Sequence, residues 1–133
     1  MTDILIRKAA HVLTMNDAGD ELTGADILLR GGRIAALGQG LDAPGAEIVD
    51  GRGIVVTPGL VNTHHHLFQN LTRVVPEAQN HSLFGWLQTL YPIWSHLEPE
   101  DFYVSAAAGL AELALSGCTT SSDHQYLFPN GSR

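Results

Sequence analysis

Short apolar runs separated by turn residues fill the first part of the chain, and this pattern favours β-strands. Residues 25–30 and 33–37 are two such runs, and Gly31-Gly32 between them predicts a tight hairpin, because two-residue turns require positive φ angles. Residues 3–7 also have strand character, residues 12–15 are expected to continue that strand, and residues 47–50 predict another short strand. Residues 1–56 are therefore expected to form a small β-sheet or β-sandwich unit.

The pattern changes at residue 54. Apolar residues 54–56 and 60–61 lead into the histidines at 64–66, which is typical of a buried strand with functional groups at its carboxyl end. The following pattern predicts a helix over 83–94, a helix over 99–116 and a second strand over 118–123. Pro92 is expected to kink or end the first helix, and Gly117 to end the second. Residues 57–133 thus predict a β-α-β unit with parallel strands.

Composition and charge exclude several classes of protein. The chain has 133 residues, of which 44% are apolar and 16% charged, so it is not expected to be disordered. A single cysteine excludes a disulfide-stapled module. The net charge of −7 disfavours nucleic acid and anionic membrane surfaces as partners. With neither a signal peptide nor a membrane span visible in the sequence, we expect a cytoplasmic protein.

His64 and His66 are the clearest candidates for chemistry. In a strand, side chains two positions apart point to the same face, so these two imidazoles should converge on one point, as two ligands of a metal must. His65 should point the other way. Two imidazoles do not complete a tetrahedral site, so a histidine-rich strand end without metal remains the alternative from the residues alone.

The segment 57–66 resembles the first barrel strand of the amidohydrolase superfamily: a Pro-Gly, two apolar residues, a polar pair and then His-x-His. The preceding segment 51–57 is similar to the family's return from its β-sandwich. The resemblance implies an α/β fold, with the N-terminal part of a β-sandwich over 1–56 and the first β-α-β of a metal-dependent (β/α)8 barrel over 57–133. Because a whole barrel typically needs about 250 residues, this barrel is expected to be truncated.

The resemblance also implies the chemistry. The polar pair Asn62-Thr63 is similar to the aminohydrolase branch, and segments 64–73, 83–87, 90–94 and 116–120 resemble its 8-oxoguanine deaminase and hydroxydechloroatrazine ethylaminohydrolase subgroups. The implied reaction is metal-dependent hydrolytic deamination of a purine-like or triazine ring, in which activated water displaces an amine. One divalent metal ion is implied, zinc or alternatively iron, held here by His64 and His66. The other ligands and the proton-shuttling residues are expected outside this chain, so the segment contains no catalytic residue beyond the ligands.

Three further residues are candidates for contact with a small heterocyclic substrate. Gln69 lies one turn beyond the metal motif and could bond a ring edge, although a solvated amide is the alternative. Trp94 could line the pocket, but an aromatic residue at helical spacing is also typical of a core. His124 follows the second strand, in a motif that reads Asp-His-His-Tyr in the family but has Gln125 here, and this difference bears on substrate choice.

Several alternatives stay open. The chain by itself could be a truncated piece without catalysis, or a small metal-binding module. Within the same branch, the substrate could instead be guanine, cytosine or an adenosine-like compound. The parent enzyme is expected to be a homo-oligomer.

Overall fold

The computed structural model describes residues 2–132, which divide into two units that meet between Pro58 and Gly59 in the sequence. The first unit is a mixed β-sheet. Its strands are β1 (Ile4–Leu13), β2 (Glu21–Arg30), β3 (Arg33–Gly38), β4 (Glu47–Asp50) and β5 (Val55–Val56). They lie in the order β3-β2-β1-β4, and β5 also pairs with β1, beyond β4. The long strand β1 is therefore paired along both edges.

The predicted hairpin is confirmed. β2 and β3 pair antiparallel with Arg30 opposite Arg33, and Gly31 and Gly32 both have positive φ angles, 57° and 76°. A side chain would strain both positions, which is why the two glycines determine this turn.

The strand expected at residues 3–7 and its continuation at 12–15 form one ten-residue strand, β1, which ends at Leu13 and contains an irregularity. Its pairing with β2 shifts register between Ile6 and Ala9, and Lys8 there has a positive φ of 56°. The buried carboxylate of Asp26 accepts the Lys8 N–H at 2.9 Å and the Leu41 N–H at 3.0 Å. These two bonds hold the bulge in place and satisfy a charge that would otherwise be costly to bury.

The second unit places two helices between two parallel strands, as predicted. Its elements are β6 (Leu60–Asn62), α1 (Leu83–Trp94), α2 (Pro99–Leu115) and β7 (Cys118–Ser121), with 3₁₀ helices at Leu67–Thr72 and Pro76–Ala78. Helix α1 ends two residues after Pro92. Asp101 accepts the backbone N–H of Glu98 to cap the start of α2, and Gly117 follows its end with a φ of 84°.

The expected buried strand before the histidines is not observed. β5 pairs with β1 in the first unit, and β6 is a separate strand of three residues. Leu60 and Val61 of β6 are 58% and 64% exposed, because β6 pairs only with β7 among the described residues. The core of this unit lies instead among its helices, where Phe68, Ala78, Leu90, Trp94 and Leu97 pack together.

In the part of the chain that the structure describes, no helix is both long and apolar enough to cross a membrane.

Candidate metal centre and adjoining cavity

His64 and His66 lie in the turn that follows β6, at the carboxyl end of the strand as expected but outside its paired residues. Their side chains nevertheless converge, and the two Nε2 atoms are 3.2 Å apart. His65 differs from both, since its Nδ1 meets the side-chain amide of Asn62 at 3.0 Å. The convergence therefore depends on how this turn is held, and not on strand geometry alone.

The donor atoms fit a transition-metal ion. Two nitrogens bound to one tetrahedral zinc at about 2.0–2.1 Å would stand about 3.3 Å apart, and the Nε2 atoms of His64 and His66 are already 3.2 Å apart. Neutral imidazoles suit zinc and iron among the common metals. The pair could therefore accept a divalent cation with little rearrangement.

A hydrogen bond defines the tautomer of His66. Its Nδ1 lies 2.8 Å from the carbonyl oxygen of His124. Because a carbonyl only accepts, Nδ1 must carry the hydrogen, which leaves Nε2 of the neutral ring with a free lone pair. Such a bond to the second ring nitrogen is how proteins generally orient histidine ligands.

The loop after β7 is hydrogen-bonded to the segment that carries the two histidines. The His124 N–H donates to the carbonyl of His65 at 2.7 Å, and a carboxylate oxygen of Asp123 accepts the Leu67 N–H at 3.0 Å. As a result the His124 ring lies beside the pair, with ring centres 4.8 Å from His64 and 5.6 Å from His66. One nitrogen from each of the three rings lies within 4.8 Å of the others.

Helix α2 supports the turn from behind. The buried hydroxyl of Ser105 donates to the Leu67 carbonyl at 2.7 Å, and the Asn70 amide donates to the same oxygen at 3.0 Å. Gly109 faces Asn70 so closely that a Cβ there would overlap the amide and lie 2.8 Å from the Leu67 side chain. The 3₁₀ helix directly after the histidines is thus fixed by close backbone packing.

A cavity of about 360 Å³ adjoins the cluster. Gln69, one of the predicted substrate contacts, lines it and donates to the hydroxyl of Tyr126 at 2.8 Å. Burial raises the pKa of Tyr126, and a neighbouring tyrosine adds to the effect, so the phenol stays protonated at neutral pH. The other residues that line the cavity are His64, His65, His66, Asn70, Thr72, Arg73 and Trp86.

The prediction that Trp94 lines the pocket is not supported, because its side chain is completely buried. The indole packs edge-on against Phe68 and Trp86, and its N–H donates to the hydroxyl of Thr72 at 2.9 Å. Trp86 lines the cavity instead. The two tryptophans lie eight residues apart, about two helical turns, so helical spacing alone could not show which one faces the cavity.

The charged residues near the site are largely paired. Arg73 donates two hydrogen bonds to the carboxylate of Glu112, at 2.7 and 3.0 Å. The hydrogen bonds and charge of Arg73 lower the pKa of Glu112. This pair joins the end of the 3₁₀ helix to α2, and it balances the charge of Arg73 at the wall of the cavity.

A larger cavity of about 500 Å³ lies among Phe68, Phe102, Tyr103 and Phe128 and includes Gln125. It contains no histidine. Neighbouring residues of the loop after β7 therefore face different cavities, with His124 beside the histidine pair and Gln125 on the larger one. We place the candidate site in the smaller cavity, where the metal donors are.

Known proteins are similar to this chain in sequence and in fold. A sequence profile of the amidohydrolase family matches residues 55–129. The 8-oxoguanine deaminase of Pseudomonas aeruginosa is 46% identical over 134 positions, covering 98% of this chain and 29% of the relative. The hydroxydechloroatrazine ethylaminohydrolase of Pseudomonas sp. (strain ADP) is 38% identical over 138 positions, covering 95% of this chain and 29% of the relative.

Among solved structures, atrazine chlorohydrolase from Arthrobacter aurescens, crystallised in complex with zinc, superimposes with a TM-score of 0.88 at 34% identity. The match covers 95% of this chain and 29% of that one. The chain thus spans less than a third of the length of each of these relatives.

Proposed function

The chain belongs to the amidohydrolase family, and from that premise we propose that it carries part of the active site of a metal-dependent hydrolase that deaminates a purine-like or triazine ring. The observation that carries the proposal is the 3.2 Å separation of the Nε2 atoms of His64 and His66. Deaminases of such rings among its relatives support the substrate class.

His64 and His66 would hold the metal, and the zinc in the atrazine chlorohydrolase structure supports zinc as its identity. When bound, such an ion would lower the pKa of a coordinated water to about 7 and so supply a nucleophile at neutral pH. The protein's own part is orientation: the His66 ring is held through its Nδ1–H, so its Nε2 lone pair is directed at the site before any ion arrives.

The adjoining cavity would receive the ring to be deaminated. Trp86 lines the cavity, where its indole would stack on the ring, and the carboxamide of Gln69 can both donate to and accept from the edge of a heterocycle. Tyr126 keeps that amide in place through its hydroxyl. The buried Trp94 would support the site through the core rather than contact the ring.

We further propose that β6 and β7 are the first two strands of a (β/α)8 barrel and that residues 1–56 are the first portion of a β-sandwich. β6 and β7 pair in parallel and are connected by a segment that contains two helices, and this arrangement supports the barrel. The match to atrazine chlorohydrolase across 95% of this chain supports both parts. Active sites of such barrels lie at the carboxyl ends of the strands, where His64, His66 and His124 follow β6 and β7.

Zinc content and amine release test the proposal. The purified chain, the variant His66→Ala and the control His11→Gln, which alters an exposed histidine of the first unit, would be dialysed against zinc and assayed for bound metal. Each would then be assayed for amine release from an 8-oxopurine and from an amino-triazine. We expect stoichiometric zinc in the chain and the control, and loss of zinc in His66→Ala.

The outcomes separate the candidate functions. Equal zinc in the chain and in His66→Ala would overturn the metal assignment. Zinc-dependent amine release would support a deaminase, and release that persists in His66→Ala would contradict it. Zinc binding without amine release would favour the second candidate, a segment that binds metal but has no turnover on its own. The observation that favours this candidate is the cluster of three imidazoles.

A further inference from the structure

We propose that Tyr126 is a specificity-determining residue, whose phenol O–H donates a hydrogen bond to a carbonyl oxygen of the heterocycle bound beside His64 and His66. The inference rests on the proposed function, because it requires that the cavity beside the histidine pair receives a ring. The sequence pattern did not indicate this residue, since Tyr126 lies 57 positions beyond Gln69 in the chain.

Tyr126 contacts two of the residues that line the cavity. Its hydroxyl oxygen lies 2.8 Å from Nε2 of Gln69. Its ring packs edge-on against the ring of His66, with ring centres 5.1 Å apart. The phenol thus adjoins both a candidate metal ligand and the amide that is predicted to meet the substrate. A heterocycle held against these two residues would come within reach of the hydroxyl.

The hydrogen bond from Gln69 leaves the hydroxyl hydrogen of Tyr126 available. A phenol oxygen both accepts hydrogen bonds and donates one through its own hydrogen. Here the oxygen accepts from the Gln69 amide. Among residues 2–132, the hydroxyl of Tyr126 donates to no protein group. A carbonyl oxygen of a bound ring would therefore give this donor a partner that the described part of the chain does not supply.

Packing fixes the position of the phenol before any ring binds. Tyr126 makes edge-to-face contacts with the rings of His66 and Phe68, at interplanar angles of 83° and 84°. Phe68 is almost completely buried and belongs to the helical core of the second unit. Tyr126 itself is 44% exposed, so it is anchored by the core and still accessible to a ligand. A donor that is already held in place loses little conformational freedom on binding.

The donor also defines the class of ring. An O–H group pairs with an acceptor, such as a carbonyl oxygen, and not with an N–H of the ring. The neighbouring carboxamide of Gln69 retains its own oxygen and a second N–H hydrogen. Rings with an oxo group beside a ring N–H, as in 8-oxopurines, are complementary to Tyr126 and Gln69 together. Oxo-substituted heterocycles are therefore the expected ligands.

The test measures the affinity of the chain, in the presence of zinc, for 8-oxoguanine and for two analogues that each lack one of its oxygens. These analogues are guanine and 2-amino-8-oxopurine. Tyr126→Phe keeps the ring packing and removes the hydroxyl, and the control Tyr103→Phe removes an exposed hydroxyl at the other cavity. We expect Tyr126→Phe to bind 8-oxoguanine about 3–10-fold more weakly. Tyr103→Phe should bind as the unaltered chain does, and zinc affinity should be equal in all three proteins.

The analogues separate a direct contact from an effect through Gln69. In the unaltered chain, the analogue without the accepting oxygen should bind about 3–10-fold more weakly than 8-oxoguanine. In Tyr126→Phe, loss of the same oxygen should change affinity by less than about twofold, because its donor is already gone. If neither analogue shows this difference between the two proteins, the contact is overturned and Tyr126 only positions Gln69.

The outcomes distinguish this inference from the proposed function. If 8-oxoguanine binds the unaltered chain and Tyr126→Phe equally well, the inference is overturned and the proposed function stands. If the unaltered chain binds zinc but none of the three rings, the inference and the proposed ring site are both overturned. The metal site is judged separately, by the zinc content of His66→Ala.

A measurement on the unaltered chain avoids any folding defect in a variant. With tyrosine labelled with ¹³C at Cζ, each signal reports the hydrogen bonding of one hydroxyl. We expect the Tyr126 signal to shift when 8-oxoguanine is added and the Tyr103 signal to stay in place. A Tyr126 signal that is unmoved at saturating 8-oxoguanine would overturn the inference.

Discussion

The two units of the chain bury their cores in different kinds of secondary structure. In the first, β1 is paired along both edges, and its buried positions Leu5, Ala9 and Val12 belong to the sheet itself. In the second, the strands β6 and β7 are short and exposed, and the buried residues belong to helices and turns around Phe68 and Trp94. The candidate site thus stands on a helical core and not on a sheet.

The difference explains why the histidines are well placed without a strand beneath them. The turn that carries them is bonded to α2 through Ser105 and to the loop after β7 through Asp123. Changes to the helical core should therefore affect the metal site, whereas changes to the sheet of the first unit should not. Substitutions in each unit test this contrast.

The largest effect is expected from Trp94→Ala. Truncating a fully buried tryptophan costs about 3–5 kcal/mol, and it also leaves the Thr72 hydroxyl without its indole partner. Residue-resolved hydrogen exchange should show loss of protection in α1 and α2 and unchanged protection in β1 and β2. Trp94→Phe, which keeps most of the packing, should lose less. Equal loss of protection in both units would contradict the contrast.

An intermediate effect is expected from Asp26→Ala in the first unit. The substitution leaves the N–H groups of Lys8 and Leu41 without their acceptor, at a cost of roughly 1–3 kcal/mol in the free energy of unfolding. Exchange should quicken at these two amides while zinc binding is unchanged. The exposed Asp17 supplies the control, since Asp17→Asn should change stability by less than about 0.5 kcal/mol. Reduced zinc binding by Asp26→Ala would contradict the separation of the units.

The lowered pKa of Asp26 also predicts that the stability of the chain depends on pH. The backbone hydrogen bond from Lys8 is the main cause that lowers its pKa below the ordinary value of 3.8. A depressed carboxyl pKa contributes stability that is fully present above the unfolded pKa and is lost as pH falls through the folded value. Below about pH 4, stability should therefore fall more steeply in the unaltered chain than in Asp26→Asn. The measurement is the free energy of unfolding in urea as a function of pH. The same pH dependence in the unaltered chain and in Asp26→Asn would contradict this assignment.

The smallest effect is expected from two exposed ion pairs, one in each unit. Asp50–Arg52 is local in sequence, and Arg52 lowers the pKa of Asp50 to about 2. Glu112–Arg73 spans 39 positions and joins α2 to the 3₁₀ helix. Glu112→Gln should lower the Tm slightly and weaken zinc binding slightly at low salt, and high salt should remove the difference. Asp50→Asn should leave zinc binding unchanged, and a loss there would count against the contrast.

Features that depend on local backbone preference were predictable. The hairpin at Gly31-Gly32, the start of α2 near Pro99 and its end before Gly117 all follow from φ angles that these residues favour. The His-x-His segment and its flanks also identified the family, which the comparisons confirm. The roles of His64 and His66 as metal ligands and of Gln69 as a substrate contact stay predictions.

Features that depend on distant contacts were decided only by the tertiary structure. Sequence spacing could not show that Trp94 is buried and Trp86 faces the cavity, because the rotation of α1 depends on what packs against it. Nor could it place His124 beside His64 and His66, since hydrogen bonds between segments 56 to 58 positions apart bring the loop there. The sequence determined the metal motif and the turns, whose geometry is local; folding determined which side chains surround the motif, because only packing brings remote segments together.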